Sequence, residues 1–166
     1  TGEVLWRDRH PYTNSWAAPT FAAGKLLVFR GNSAAPKGKE GGGIWCHDAR
    51  TGKLLWRKSR PVPTGQYAFS ASLVVHDNTV LACWHVGKDV LEAAAYRLAD
   101  GETVWTRRYP QVLPAEGTGE VHVSQGCLGG GVWYCSISRT GRSGKVVKEQ
   151  GQGGATLALD PKDGTR

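Results

Sequence analysis

The 166 residues predict an all-β chain built from about three four-stranded antiparallel units, and three observations carry that prediction. A six-residue phrase returns about every fifty residues, as TGEVLW at 1–6, TGKLLW at 51–56 and DGETVW at 100–105. A β-type run precedes the phrase, IWCHDA before Thr51 and AAAYRLA before Asp100. Each closing tryptophan is followed five residues later by proline, in WRDRHP, WRKSRP and WTRRYP. A fourth copy of the phrase begins at Asp163-Gly164, behind ATLALDPK.

Residues 1–6 read as the outermost strand of a preceding or closing unit. The first unit spans roughly 15–58. Its strands SWAAPTF and KLLVFRG meet at Ala23-Gly24, and the next two form a hairpin at Thr51-Gly52, where glycine supplies the positive φ of a tight turn. The second unit, 69–108, joins FSASLVV to TVLACWHV at Asp77-Asn78. Its third segment, DVLEAAAYRLA, has helical propensity, but its place in the repeat predicts a strand. The third unit, 119–166, joins EVHVSQG to GVWYCSIS at Gly129-Gly130 and continues through ATLALDPK.

Four strands in a repeat of this length are the signature of a β-propeller blade. A lone blade cannot bury both of its faces, so blades pack face to face in a ring. Trp6, Trp56 and Trp105, one near each outer strand, are placed to fill the gap between neighbours. The pattern in CHDARTGKLLW is a small residue and Asp, then Thr-Gly-Lys, two aliphatics and Trp. It resembles the repeat of the pyrroloquinoline-quinone-like propellers, the quinoprotein alcohol dehydrogenase-like superfamily, over essentially the whole chain. That resemblance implies a ring of about six to eight blades and an extracytoplasmic setting. Three blades fall short of a ring, so the chain is a piece of a larger propeller, or two copies joined head to tail close a six-bladed homodimer.

The resemblance also implies two functional readings. The first is a non-enzymatic scaffold or sensor that recognises protein or peptide through the loops of one face of the disc, as the superfamily's outer-membrane assembly scaffolds and kinase-fused sensors do. The second is part of a quinone- and calcium-dependent dehydrogenase whose catalytic residues lie largely in other blades. Quinone-binding members use an adjacent Cys-Cys disulfide, a Trp floor and a Glu/Asn/Asp set around calcium. This sequence has no adjacent cysteine pair and no clustered carboxylates of that kind. No cofactor, metal or catalytic residue is therefore predicted, with pyrroloquinoline quinone and calcium as the alternative.

The cysteines are Cys46, Cys83, Cys127 and Cys135. Aligning Val80 with Val132 makes Cys83 and Cys135 equivalent positions of neighbouring units, beyond the roughly 7 Å between Cα atoms that a disulfide spans. They are expected to be unbridged, small, buried strand residues, and no CxxC spacing points to zinc. Their lack of an obvious pairing leaves a cytoplasmic setting open. His47, His76 and His122 stand alone and read as structural or solvated, and Cys83 with His85 makes only a lone C-x-H. No G-x-S-x-G, H-E-x-x-H or phosphate-cradling glycine loop is present, and no apolar run is long enough to span a membrane.

Charge supplies the candidate site. The net charge is +7, and the expected connections on one face, at 7–14, 32–42, 57–68, 87–89, 106–118 and 139–152, hold the surplus of Lys and Arg. A basic face attracts acidic partners. The residues expected to meet an acidic or mixed protein surface are Arg60, Arg107, Arg108, Tyr109, Arg142 and Lys145, the last two in the basic loop RTGRSGKVVKEQGQGG at 139–154. A simpler account makes Arg9, Arg60 and Arg108 guards of exposed strand edges. Nucleic acid is disfavoured, because Tyr109 is the only aromatic close to the Arg pairs and offers no stacking platform.

Overall fold

A computed structural model describes residues 2–8, 18–30, 42–60, 73–86, 90–110, 119–123, 126–141 and 154–166. They form three antiparallel sheets and, among the described residues, no helix. The first sheet runs in the order β1 (Thr20–Ala22), β2 (Lys25–Arg30), β3 (Gly42–Asp48), β4 (Leu54–Arg60). The second repeats it as β5 (Val74–His76), β6 (Thr79–His85), β7 (Val90–Arg97), β8 (Thr103–Pro110). In the third, β9 (Gly119–Val123) and β10 (Cys127–Gly129) pair with successive stretches of one edge of β11 (Val132–Gly141), and β12 (Gly154–Leu159) pairs with the other. The sheets are blades of a β-propeller, the third of them three strands wide among the described residues.

Turn chemistry sets the first hairpin of every blade. Ala23-Gly24, Asp77-Asn78 and Gly130-Gly131 each place two successive residues at positive φ, from 43° to 78°. That is the demand of a two-residue turn matched to strand twist, which small or Asx residues meet best. The third turn is thus one residue later than the Gly129-Gly130 expected from sequence, and Gly129 belongs to β10.

The shift matters because one residue of register exchanges the two faces of a strand. Counted from the turns, Val132 is equivalent to Thr79, so the counterpart of Cys135 is Ala82 rather than Cys83. Leu27, Phe29, Ile44 and Cys46 of the first blade then pack on Val80, Ala82, Trp84, Ala94 and Tyr96 of the second. The opposite face of the second blade, Leu81, Cys83, Leu91, Ala93 and Ala95, packs on Trp133, Cys135, Ile137, Leu157 and Leu159 of the third. Cys83 and Cys135 therefore face each other across an interface, contrary to the separation expected from aligning Val80 with Val132. The middle blade is covered on both faces, and β7 shows it, with Leu91 to Tyr96 buried in unbroken succession. Its three alanines are helix formers, but between two sheets their small size decides, and the segment is a strand.

The repeated phrase fastens one blade to the next. A register shift after Cys46 and another after Ala95 leave Leu55 and Val104 as extra residues of the outer strands, both exposed. Such a bulge re-aims the side chain beside it. The Trp56 indole N–H donates to the Leu98 carbonyl at 3.0 Å, that of Trp105 to Pro161 at 3.1 Å, and that of Trp6 to Ala49 at 3.0 Å. Each ring also lies on the glycine of the next phrase. A Cβ at Gly52, Gly101 or Gly164 would come within 2.6, 2.7 and 2.7 Å of Trp6, Trp56 and Trp105 respectively.

Gly101→Ala must therefore displace Trp56 and hold alanine at a φ of +74°, whereas Gly130→Ala, at φ +58°, meets no atom within 4 Å. Denaturant unfolding is expected to show a loss of about 1 kcal/mol for Gly130→Ala and about 2–4 kcal/mol for Gly101→Ala. Equal losses would mean that the indole contact adds nothing to the backbone effect.

Candidate functional site: an arginine-lined cleft at the rim

Three of the residues expected to bind a partner lie side by side on β8, the outer edge of the second blade. The sequence reading put residues 57–68 and 106–118 in connections, but pairing with β3 and β7 continues to Arg60 and Pro110. Arg107, Arg108 and Tyr109 consequently sit on a strand at the rim of the disc. Arg60 closes β4, with its side chain outside the described residues. Arg142 and Lys145, with the rest of 142–153, also lie outside them.

Strand alternation sends the three side chains two ways. Trp105, Arg107 and Tyr109 all reach the segment Pro161–Gly164 that follows β12. Arg107 Nε donates to the Asp163 carbonyl at 2.5 Å, and its Nη2 stands 4.0 Å from Asp163 Oδ2. The Tyr109 hydroxyl donates to the Gly164 carbonyl at 2.5 Å. Its ring is buried, and the Arg166 guanidinium lies 5.2 Å from its centroid, within cation–π range. Arg108 points the other way, and its Nε donates at 2.8 Å to Oε2 of Glu92, its cross-strand partner. Glu92 is 1% exposed while the Arg108 side chain is 72% exposed, so the arginine carries the charge balance of a buried carboxylate out to solvent.

Arg107, Arg108, Tyr109, Gly164, Thr165 and Arg166 line an open cleft of about 430 Å³. Its electrostatics follow from its walls. Burial, the larger cause, pushes the Tyr109 phenol up to about 12, opposed by the charges of Arg107 and Arg166. Hydrogen bonds from the Thr165 backbone N–H and hydroxyl to Asp163 Oδ1 hold that carboxyl below its ordinary range. Two guanidinium groups, those of Arg107 and Arg166, thus flank a phenol that stays neutral at physiological pH, a surface suited to carboxylates.

Sequence reasoning missed the pairings that fix these side chains. Glu92 was legible as the one acid inside the apolar run VLEAAAY, four strand positions before Tyr96 and level with Arg108 across the hairpin. His47, expected to stand alone, is buried against the Trp6 ring at 5.9 Å, with Nδ1 3.1 Å from the Gly52 carbonyl and Nε2 3.4 Å from Asp8 Oδ2. Nothing in the local pattern joins residues 8 and 47, which meet only when the segment 2–8 lies against the first sheet.

The described residues do not fit the quinone and calcium alternative. Asp48 accepts from the N–H of Arg50 and from the N–H and hydroxyl of Thr51, Asp163 is committed to its own turn, and Glu92 to Arg108. No three His, Cys, Asp or Glu among the described residues gather where they could hold a metal ion.

Two outcomes test the site's internal balance. The raised Tyr109 pKa means that the stability it confers is complete below pH about 10 and lost as pH rises towards 12. Absorbance titration is expected to show a phenol ionising at about 12, and Tyr109→Phe to remove that step. Arg108→Gln is expected to cost about 1–2 kcal/mol in denaturant unfolding, a figure reduced by the exposure of the arginine, and adding Glu92→Gln to restore part of it.

Comparison with curated proteins finds no match. Among solved structures, a europium-containing methanol dehydrogenase is similar with a TM-score of 0.55 and 18% identity, over 89% of this chain and 30% of that one. BamB from Moraxella catarrhalis aligns with a TM-score of 0.42 and 12% identity, over 97% of this chain and 62% of that one. This chain thus spans less than a third of the dehydrogenase and less than two thirds of the Moraxella protein. The likeness to the dehydrogenase shows the propeller fold and no more. The family described as outer membrane protein assembly factor BamB matches residues 1–125, well over half of the sequence. The chain therefore belongs to that family of pyrroloquinoline-quinone-like repeat propellers.

Proposed function

We propose that this chain is the recognition part of a propeller that binds protein or peptide without catalysis of its own, and that its rim cleft takes an acidic segment. The observation that carries the proposal is that Arg107 and Arg166 share one open cleft beside Tyr109, with Arg108 also in its lining. Guanidinium groups hold carboxylates through paired, charge-assisted hydrogen bonds. β8 is also an edge strand, so an extended segment can align with it while its acidic side chains reach the arginines. Arg60, Arg142 and Lys145, basic in sequence, are assigned to the same acidic partner in this reading.

In this reading Trp6, Trp56 and Trp105 hold the blades in register and thereby fix the cleft, which is made by two different blades. Membership in a family described as an outer membrane protein assembly factor supports a protein partner and an extracytoplasmic setting. The dehydrogenase alternative draws on shared fold alone. A six-bladed homodimer fits the propeller geometry as well. Light scattering on the 166-residue chain decides this point, because a stable dimer supports it and a monomer excludes it.

Binding of a fluorescent glutamate-rich peptide, with a lysine-rich peptide as control, tests the main proposal. Arg107→Gln combined with Arg166→Gln is expected to weaken the glutamate-rich peptide about tenfold or more and to flatten the dependence of affinity on salt. Unchanged affinity, or equal binding of both peptides, overturns the proposal.

A further inference from the structure

Cys83 and Cys135 leave the middle of β6 and β11 on facing sheets and are 1% and 0% exposed within one core cluster. Their strand partners are Ala93 and Leu157, so small and apolar groups surround them. Both side chains belong to the same packed cluster between the facing sheets, and the Cys83 thiol raises the pKa of Cys135. Cys46 is buried on the other side of the second blade, in the first interface, and Cys127 is exposed on β10. Among the described residues, then, one pair of thiols meets across a blade boundary.

Two thiols in one buried interface can lose two hydrogens and become a covalent strut, which neither alanine nor serine at these positions could do. We propose that Cys83 and Cys135 form a reversible disulfide that staples the second blade to the third, made by exchange with a small disulfide such as oxidised glutathione. One cysteine sulfur attacks the incoming disulfide, forms a mixed disulfide and releases one small thiol. The other cysteine sulfur attacks the protein sulfur of that intermediate, closes the Cys83–Cys135 bond and releases the second small thiol. The two S–H protons end on the two released thiols, and the two electrons that reduce the small disulfide come from the cysteine pair.

The staple has a structural consequence. It closes a loop of about fifty residues and ties down the third blade, which among the described residues is three strands wide where the others are four. The Cys83 thiol, and after it burial, hold the Cys135 thiol well above the ordinary thiol range, so exchange waits on openings of this interface.

The full chain is incubated under native conditions with a mixture of oxidised and reduced glutathione, quenched with a thiol-blocking reagent, and examined as intact protein and as peptides. The expected result is a loss of about 2 Da, a peptide pair joined through Cys83 and Cys135, and a melting temperature higher by several degrees, all reversed by reductant. Cys83→Ser and Cys135→Ala should each abolish the joined pair. The peptide readout on the unaltered chain stands by itself if either variant fails to fold. Stable glutathione adducts at either cysteine, linkage through Cys127 instead, or two free thiols after equilibration overturn the proposal.

Discussion

One indole laid on one glycine is the contact on which the architecture depends. The ring of Trp56 lies so close to Gly101 that no side chain fits between them, and its N–H reaches the carbonyl of Leu98 three residues before that glycine. Both partners belong to the same repeated phrase, the glycine to its turn and the tryptophan to its end. A residue that ends one phrase therefore recognises the start of the next. This explains why the sequence repeats as a unit of six residues, since a change at either end would break a contact with a different blade. The bulge at Leu55 and Val104 belongs to the same device, because it turns the tryptophan out of the alternation of its own strand and towards its neighbour.

The candidate site follows from that fastening. Trp105, Arg107 and Tyr109 share one face of β8 and all reach the fourth phrase, the first by its ring on Gly164, the second by its guanidinium and the third by its hydroxyl. The docked blade brings Thr165 and Arg166 to the same place, and a cleft remains beyond the contact. The strand that holds the ring together is thus the strand that presents the arginines, and the cleft is as rigid as the blade interface beside it. Arg108, on the opposite face, is held by Glu92 and contributes charge to the cleft rim while neutralising the core.

Most of the fold was legible because it rests on local chemistry repeated in register. Turn residues, β-type runs and the Trp-to-Pro spacing each point to the same four-stranded unit, and even β7 could be read against its alanines by its place in the repeat. What could not be read were facts that depend on a single residue of register or on distant contact. Two adjacent positions of a Gly-Gly-Gly run suit the turn equally by composition, yet the choice of Gly130-Gly131 decides whether Cys135 faces Cys83 or turns away. The ends of β4 and β8 were placed too early because proline and arginine suggest a loop, although an edge strand tolerates both. The site residues were visible as a basic cluster, but the acceptors that fix them, at Asp163, Gly164 and Glu92, lie sixteen to fifty-six residues away.

The position two residues after each tryptophan carries the argument one step further. At the first such contact it is Asp8, which stands beside His47 of the first sheet. At the second it is Lys58, whose ammonium lies 5.8 Å from the centroid of Tyr96, the residue equivalent to His47. At the third it is Arg107, which takes the carbonyl and carboxylate of Asp163, the residue in the equivalent position being Leu159. The indole and glycine are common to all three contacts and cannot tell one from another. The neighbouring pair can, because exchanging blades would set Asp8 against an aromatic face or Lys58 beside a histidine, and would lose a matched contact each time. A common fastening thus supplies the strength of the ring, and a variable contact beside it distinguishes the order of its blades.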